Sequence, residues 1–120
     1  MLHEYEIAAF IEGSLPELEK NEKAGKMNNS DAYRAIARLS DLMKKKFKDN
    51  DLLSVKNILR VAETIYMKGN AVVRTGIENI FIYSISSIMP IDRNARHQLQ
   101  AIIPIHIYSI YVQQILRSGI

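Results

Sequence analysis

The sequence predicts an all-α protein, with six to seven helices in a stacked helical-hairpin array or irregular bundle. Three observations carry this reading. Apolar residues recur at three- and four-residue steps through most of the 120 residues, the spacing of one helical face. Cap and stop signals separate those runs at Asp49-Asn50-Asp51, Lys68-Gly69-Asn70 and Met89-Pro90. The first two turns are short enough to make the helices they join antiparallel neighbours. A chain of this length supports one hydrophobic core, so residues 1–120 are expected to form a single helical domain.

The first helix is expected from Leu2, Tyr5, Ala9 and Phe10, with Ile7 and Ile11 widening its apolar face and Gly13 ending it. Ser14-Leu15-Pro16-Glu17 matches a capping box and predicts a short second helix from Pro16 to about Lys20. The polar stretch Asn21–Asn29 reads as a loop. Ser30 or Asp31 then caps a helix to about Lys48, with Tyr33, Ile36, Ala37, Leu39, Met43 and Phe47 as its apolar positions. Asp51 is a natural N-cap for the next helix, which turns Leu52, Val55, Ile58, Leu59, Ala62, Ile65 and Tyr66 inward and runs to about Lys68. A cation in the last turn followed by Gly69 at C′ closes it.

Ala71 to about Ile88 is apolar on nearly all sides, which marks the central helix of the packing. Asp92 caps a sixth helix. Proline in a helix interior costs about 3 kcal/mol or more, so Pro104 splits the last segment into helices near Arg93–Ile102 and Ile105–Arg117. The β-branched and aromatic runs Ile80–Ile85 and Ile105–Val112 have a composition that suits a strand as well as a buried helix. No hairpin turn lies at the needed spacing between them, which favours helix.

The composition is ordinary, with 48% apolar and 24% charged residues. With no cysteine in the chain, disulfides, thiol catalysis, thiolate metal sites and iron–sulfur clusters drop out. The N-terminus is acidic and lacks the pattern of a signal peptide. The uncharged runs Asn79–Ile91 and His97–Leu116 are respectively too short and too polar to read as a membrane span. The expectation is a cytoplasmic protein with no membrane partner. The net charge of +3 hides a partition: residues 1–19 carry −5, residues 20–60 carry +6 and residues 61–120 carry +2.

Few groups suggest chemistry. His3, His97 and His106 have no metal-ligand spacing and no neighbouring acid in sequence beyond Asp92. No metal, cofactor or catalytic residue is expected, and no Gly-rich phosphate loop exists. Glu63 and Glu78 are each the lone acid on a strongly apolar helix. Two adjacent carboxylates suit acid–base work, but the favoured reading is a buried polar role, paired with Arg60, Arg74 or tyrosine hydroxyls. Arg74 stands at i−4 from Glu78. Arg34, Arg38 and Lys45 share a face of the basic helix, which also carries Lys44, Lys46 and Lys48, with Lys20, Lys23 and Lys26 before it. That layout suits a phosphate-binding patch or an ordinary solvated helix. It has no interleaved aromatic platform for base stacking. Tyr108 and Tyr111, one turn apart on the last helix, would make a dimer or partner surface together with Ile115 if they face outward.

Three stretches carry a resemblance: Phe10-Ile11-Glu12-Gly13-Ser14-Leu15-Pro16-Glu17-Leu18, Val61-Ala62-Glu63-Thr64-Ile65-Tyr66-Met67-Lys68-Gly69-Asn70, and Val73 to Phe81 with Glu78 inside. Over roughly residues 5–88 the chain resembles an uncharacterised family of small bacterial all-helical proteins. The resemblance implies a HEAT-like fold, and some members of that family are suspected toxin-immunity or accessory proteins. It brings no catalytic residues. The expected function is therefore a non-catalytic protein-binding module, an immunity or accessory protein of a bacterial toxin system. Its partner would be another protein, such as a toxin, or a second copy in a homodimer. An acidic surface for that role would come from Glu4, Glu12, Glu17 and Glu19. The alternative is a nucleic-acid-binding protein using residues 20–48.

Overall fold

The computed structural model describes residues 1–15 and 32–117, and they form an all-α protein. The expected second helix, the Asn21–Asn29 loop and the Ser30 or Asp31 cap lie outside the described residues. Six helices stand among them. A 3₁₀ turn, Glu4–Glu6, leads into α1, Ile7–Ser14. The long pair α2, Ala32–Lys48, and α3, Leu52–Lys68, follows. α4 runs without a break through Ala71–Gly76, a π-helical turn Ile77–Phe81, and Ile82–Ile88. α5, Arg93–Ile102, and α6, Ile105–Arg117, complete the array.

The stacking is irregular. α2 packs on α3 and along much of α4, α1 packs on α2, and α6 lies against α3 and α4. One cluster of buried side chains joins all six helices, from Ile7 and Ile36 through Ile58 and Phe81 to Leu99 and Ile107. α4 contacts α2, α3 and α6, but it is not enclosed on all sides as expected, because Val72, Thr75, Asn79, Tyr83 and Ser86 face solvent.

The boundaries at Asn50–Asp51, Asn70 and Asp92 have local causes. α2 ends with Asn50 at a φ of 63°, a left-handed residue that Asn tolerates better than most side chains. The Asp51 N–H reaches the Lys46 carbonyl and the Asn50 N–H reaches the Phe47 carbonyl, the two bonds of a Schellman motif. Asp51 then turns to the next helix and accepts from the Ser54 N–H at 3.1 Å and from the Ser54 hydroxyl at 2.7 Å. Asn70 and Asp92 cap α4 and α5 in the same way, through Val73 and Ala95.

Gly69 departs from the expected left-handed C′ role. It lies at the C-cap with extended backbone, φ −78° and ψ 154°. Space is what demands glycine here, because a Cβ would stand 2.5 Å from a Val73 methyl and 2.7 Å from the Ile65 carbonyl oxygen. The extended backbone also forms a parallel bridge with Leu2. The Leu2 N–H donates to the Lys68 carbonyl, and the Asn70 N–H donates to the Leu2 carbonyl at 2.9 Å.

That bridge changes the first helix. Because Leu2 is extended and Glu4–Glu6 is a 3₁₀ turn, the helical phase starts only at Ile7. The buried stripe is Ile7, Ala8, Ile11 and Leu15, while Tyr5 and Ala9 face solvent. Gly13 does not end α1. Ser14 is its last residue, and the Leu15 N–H still reaches the Ile11 carbonyl, which carries Leu15 into the core.

The residues 105–117 are helical. A strand would bury alternate side chains, yet Ile107 and Tyr111 are buried while Ile105 and Ser109 are exposed. Ile80–Ile85 is helical as well. Among the described residues no helix is long and apolar enough to cross a membrane.

Candidate functional site

A polar arrangement lies where α3, α4 and α6 meet, around the two carboxylates singled out in the sequence. It is built from four helix-borne features. Pro104 precedes α6 and has no side-chain oxygen to serve the first amides of that helix. Its carbonyl accepts from the Tyr108 N–H at 2.9 Å. The missing cap comes from α3: Glu63 Oε2 accepts from the His106 N–H at 3.2 Å and lies 2.9 Å from His106 Nδ1. Glu63 is 22% exposed at its side chain and His106 is 54% exposed. A carboxylate at a helix N-terminus satisfies an orphan amide and complements the helix dipole.

One turn further along α3, the Tyr66 hydroxyl donates to Glu78 Oε2 at 3.1 Å. The Arg74 guanidinium lies over the Tyr66 ring, 4.9 Å from its centroid, in cation–π range. Arg74 is exposed, so it is not the buried polar residue expected. Its contact with the Tyr66 hydroxyl, and more weakly the Glu78 carboxylate, holds the guanidinium above its usual range. Arg74 and Glu78 make no direct ion pair despite their i, i+4 spacing. Glu78 lies in the π turn that begins at Ile77 and bonds to the hydroxyl of Tyr66, whose ring Arg74 covers.

That π turn has a second consequence. Its backbone carbonyls are offset from the regular ladder, and Gln114 Nε2 of α6 donates to the Glu78 carbonyl at 2.7 Å. Glu63 and Glu78 therefore hold α6 at His106 and at Gln114, eight residues apart in sequence, or about 12 Å along a helix. The Glu63 carboxylate bonds to His106, and the Glu78 carboxylate to the Tyr66 hydroxyl. Among the described residues no group of three or more His, Asp or Glu could hold a metal ion.

The remaining candidates spread over the surface. Glu4 accepts from Asn70 Nδ2 at 2.6 Å, and that bond is the main reason its carboxyl sits below the ordinary value. Glu4 thus locks the N-terminus to the α3–α4 turn. Glu12 is half-buried on α1. Glu17 and Glu19 lie outside the described residues, as do Lys20, Lys23 and Lys26. On α2, Arg34 and Lys45 are exposed and Arg38 is half-buried. The exposed Asp41 shares their face, three residues after Arg38 and four before Lys45, and Lys45 pairs with Asp49 at 3.6 Å. Acids thus interrupt the basic row.

Tyr108 and Tyr111 divide between the two sides of α6. Tyr111 turns into the core, where burial pushes its hydroxyl pKa up and Arg96 pulls weakly against that shift. The condition for a partner surface built on both tyrosines, that they face outward together, is therefore not met. Tyr108 stays at the surface, 37% exposed, with its ring centroid 6.1 Å from that of Tyr111. It joins Ile105, 77% exposed, and Leu116, 69% exposed, with Ser109 and the half-buried Val112 between them. At 100° per residue these positions share the side of α6 opposite Ile107, Tyr111 and Gln114. The last helix is apolar on both faces.

Sequence reasoning missed Gln114, and it missed His106 as the partner of Glu63. A signal for each is visible afterwards. A helix opening on Pro104 lacks its own cap, and Gln114 is a polar residue in an inward position of an apolar run. Neither signal names the distant residue that answers it.

The fold and the site together define an all-α protein of irregularly stacked helices, whose conspicuous polar groups fasten one helix to the next. Residues 8–117 match the family described as Domain of unknown function (DUF7674), and the chain belongs to that family. Neither the curated proteins nor the solved structures contain a match.

Proposed function

We propose that the protein is a non-catalytic protein-binding module and that the outer face of α6 is its docking surface. The observation that carries this is the uncharged stripe Ile105, Tyr108, Ser109, Val112 and Leu116 on the solvent side of a helix that already buries Ile107 and Tyr111. A helix packed on one face normally turns charged and polar residues outward. Apolar residues repeated along the outward face mark an interaction site. The Glu63 carboxylate caps α6 and the Glu78 carboxylate accepts from the Tyr66 hydroxyl, structural work that favours binding over acid–base chemistry. The immunity or accessory reading and the HEAT-like description rest on the resemblance alone. The nucleic-acid alternative is weakened by Asp41 within the basic face of α2 and by Asp49 just beyond its end.

The test is capture by the immobilised chain from an extract of its native host, with wild type beside an Ile105→Asp/Leu116→Asp variant of unchanged helicity. The proposal expects the captured protein, a second copy included, to be lost with the variant. Capture that survives both substitutions contradicts it. Binding to duplex DNA that weakens steeply with salt would favour the alternative.

A further inference from the structure

We infer that the occupant of the α6 face is a second copy of this chain, paired antiparallel through residues 105–117 about a two-fold axis; this rests on the docking role of that face. Two observations point to it. The first is spacing. Ile105, Ser109, Val112 and Leu116 are separated by four, three and four residues. This order reads the same in both directions. An isologous contact needs a surface complementary to itself. In the antiparallel register, Ile105 of each copy faces Leu116 of the other, Ser109 faces Val112 and the exposed Tyr108 faces the exposed Gln113, with the small serines letting the helices approach at the centre.

The second observation is charge. Between Ile105 and Leu116 the helix has no Asp, Glu, Lys or Arg, so nothing on the stripe repels its own image. Beyond Leu116 comes Arg117, an exposed cation at the C-terminal end. Glu63 stands at the N-terminal end, where it caps α6 and keeps part of its carboxylate in solvent. Arg117 and His106 lie on the same flank of the helix, about 20° apart. A two-fold axis perpendicular to both helices brings like flanks together. Antiparallel pairing therefore carries Arg117 of each copy to the Glu63 end of the other, twice per dimer.

One 13-residue helix offers less than the roughly 800 Å² per partner of a standard interface. The dimer is accordingly a weak, concentration-dependent one, with a dissociation constant on the order of 100 µM.

Because the chain has no native cysteine, single exposed cysteines report the register. Ile105→Cys and Leu116→Cys, each of unchanged helicity, are mixed under mild oxidation at about 100 µM or above. The proposal expects the mixed disulfide to form at least tenfold faster than either homodimer, since like positions lie about 16 Å apart along the axis. Arg117→Glu is expected to weaken association in sedimentation equilibrium by about tenfold. Three outcomes overturn the pairing: equal rates for all three cross-links, preferential Ile105–Ile105 linkage, or a wild-type chain that stays monomeric at about 1 mM. None of these touches the docking role, which fails only if partner capture survives Ile105→Asp/Leu116→Asp.

Discussion

Removing the Glu63 carboxylate tests whether α3 caps α6. In Glu63→Ala the His106 N–H loses its acceptor and His106 Nδ1 loses its partner. Loss of an N-cap side chain costs about 1 kcal/mol, within a range of 0.5–2. The side-chain contact adds little, because His106 is 54% exposed and Glu63 22%, and pairs so open to water contribute roughly 0.2–1 kcal/mol. Together they come to about 1.5 kcal/mol. The unfolding entropy of a chain of 120 residues is roughly 250 cal/mol/K near its midpoint, so Tm should fall by about 6 °C. Thermal unfolding by circular dichroism reads this directly. Glu63→Gln keeps a carbonyl acceptor for the amide and should lose less than half as much. The account of Glu63 as a cap fails if Glu63→Ala leaves Tm within a degree of wild type, or if Glu63→Gln costs as much as Glu63→Ala.

Three further outcomes follow from the packing. Gly69→Ala places a methyl against the Ile65 carbonyl and Val73 and should destabilise by about 1–3 kcal/mol in urea unfolding. Gln114→Leu leaves the Glu78 carbonyl without the bond from α6 and should lower stability by about 1 kcal/mol, with faster amide exchange in α6 than in α3. The Asp51 carboxyl is held below its ordinary value, first by the Ser54 hydroxyl and then by the Ser54 N–H. A depressed carboxyl pKa stabilises the fold above the unfolded-state value of about 4 and loses that contribution as pH falls through the folded value. Asp51→Asn should therefore melt below wild type at neutral pH, and the gap should close in acid. A gap that stays constant with pH would contradict the assignment.

The helices were legible wherever local signals decide them. Asp51, Asp92 and Pro104 mark boundaries that depend on residues within a few positions, and α3 buries nearly the residues its spacing selects. The start of α1 was not legible, because its phase is set by the pairing of Leu2 with Gly69, across the whole α1–α3 stretch. The site divided in the same way. Glu63 and Glu78 stood out as lone acids on apolar helices, but their partners lie on other helices, in His106, Gln114 and Tyr66. Tyr108 and Tyr111 are three residues apart, and spacing alone could not say which of the two the core would take.

The most direct test of the central claim compares two methyl groups on opposite faces of α6, those of Ile105 and Ile107. Ile105 is exposed and Ile107 fully buried. Methyl NMR spectra recorded over a dilution series should show the Ile105 resonance moving with concentration while Ile107 stays in place, as expected when a second copy covers the outer face and the core is untouched. An Ile105 resonance that does not move at any concentration, or that moves only together with Ile107, would contradict the account.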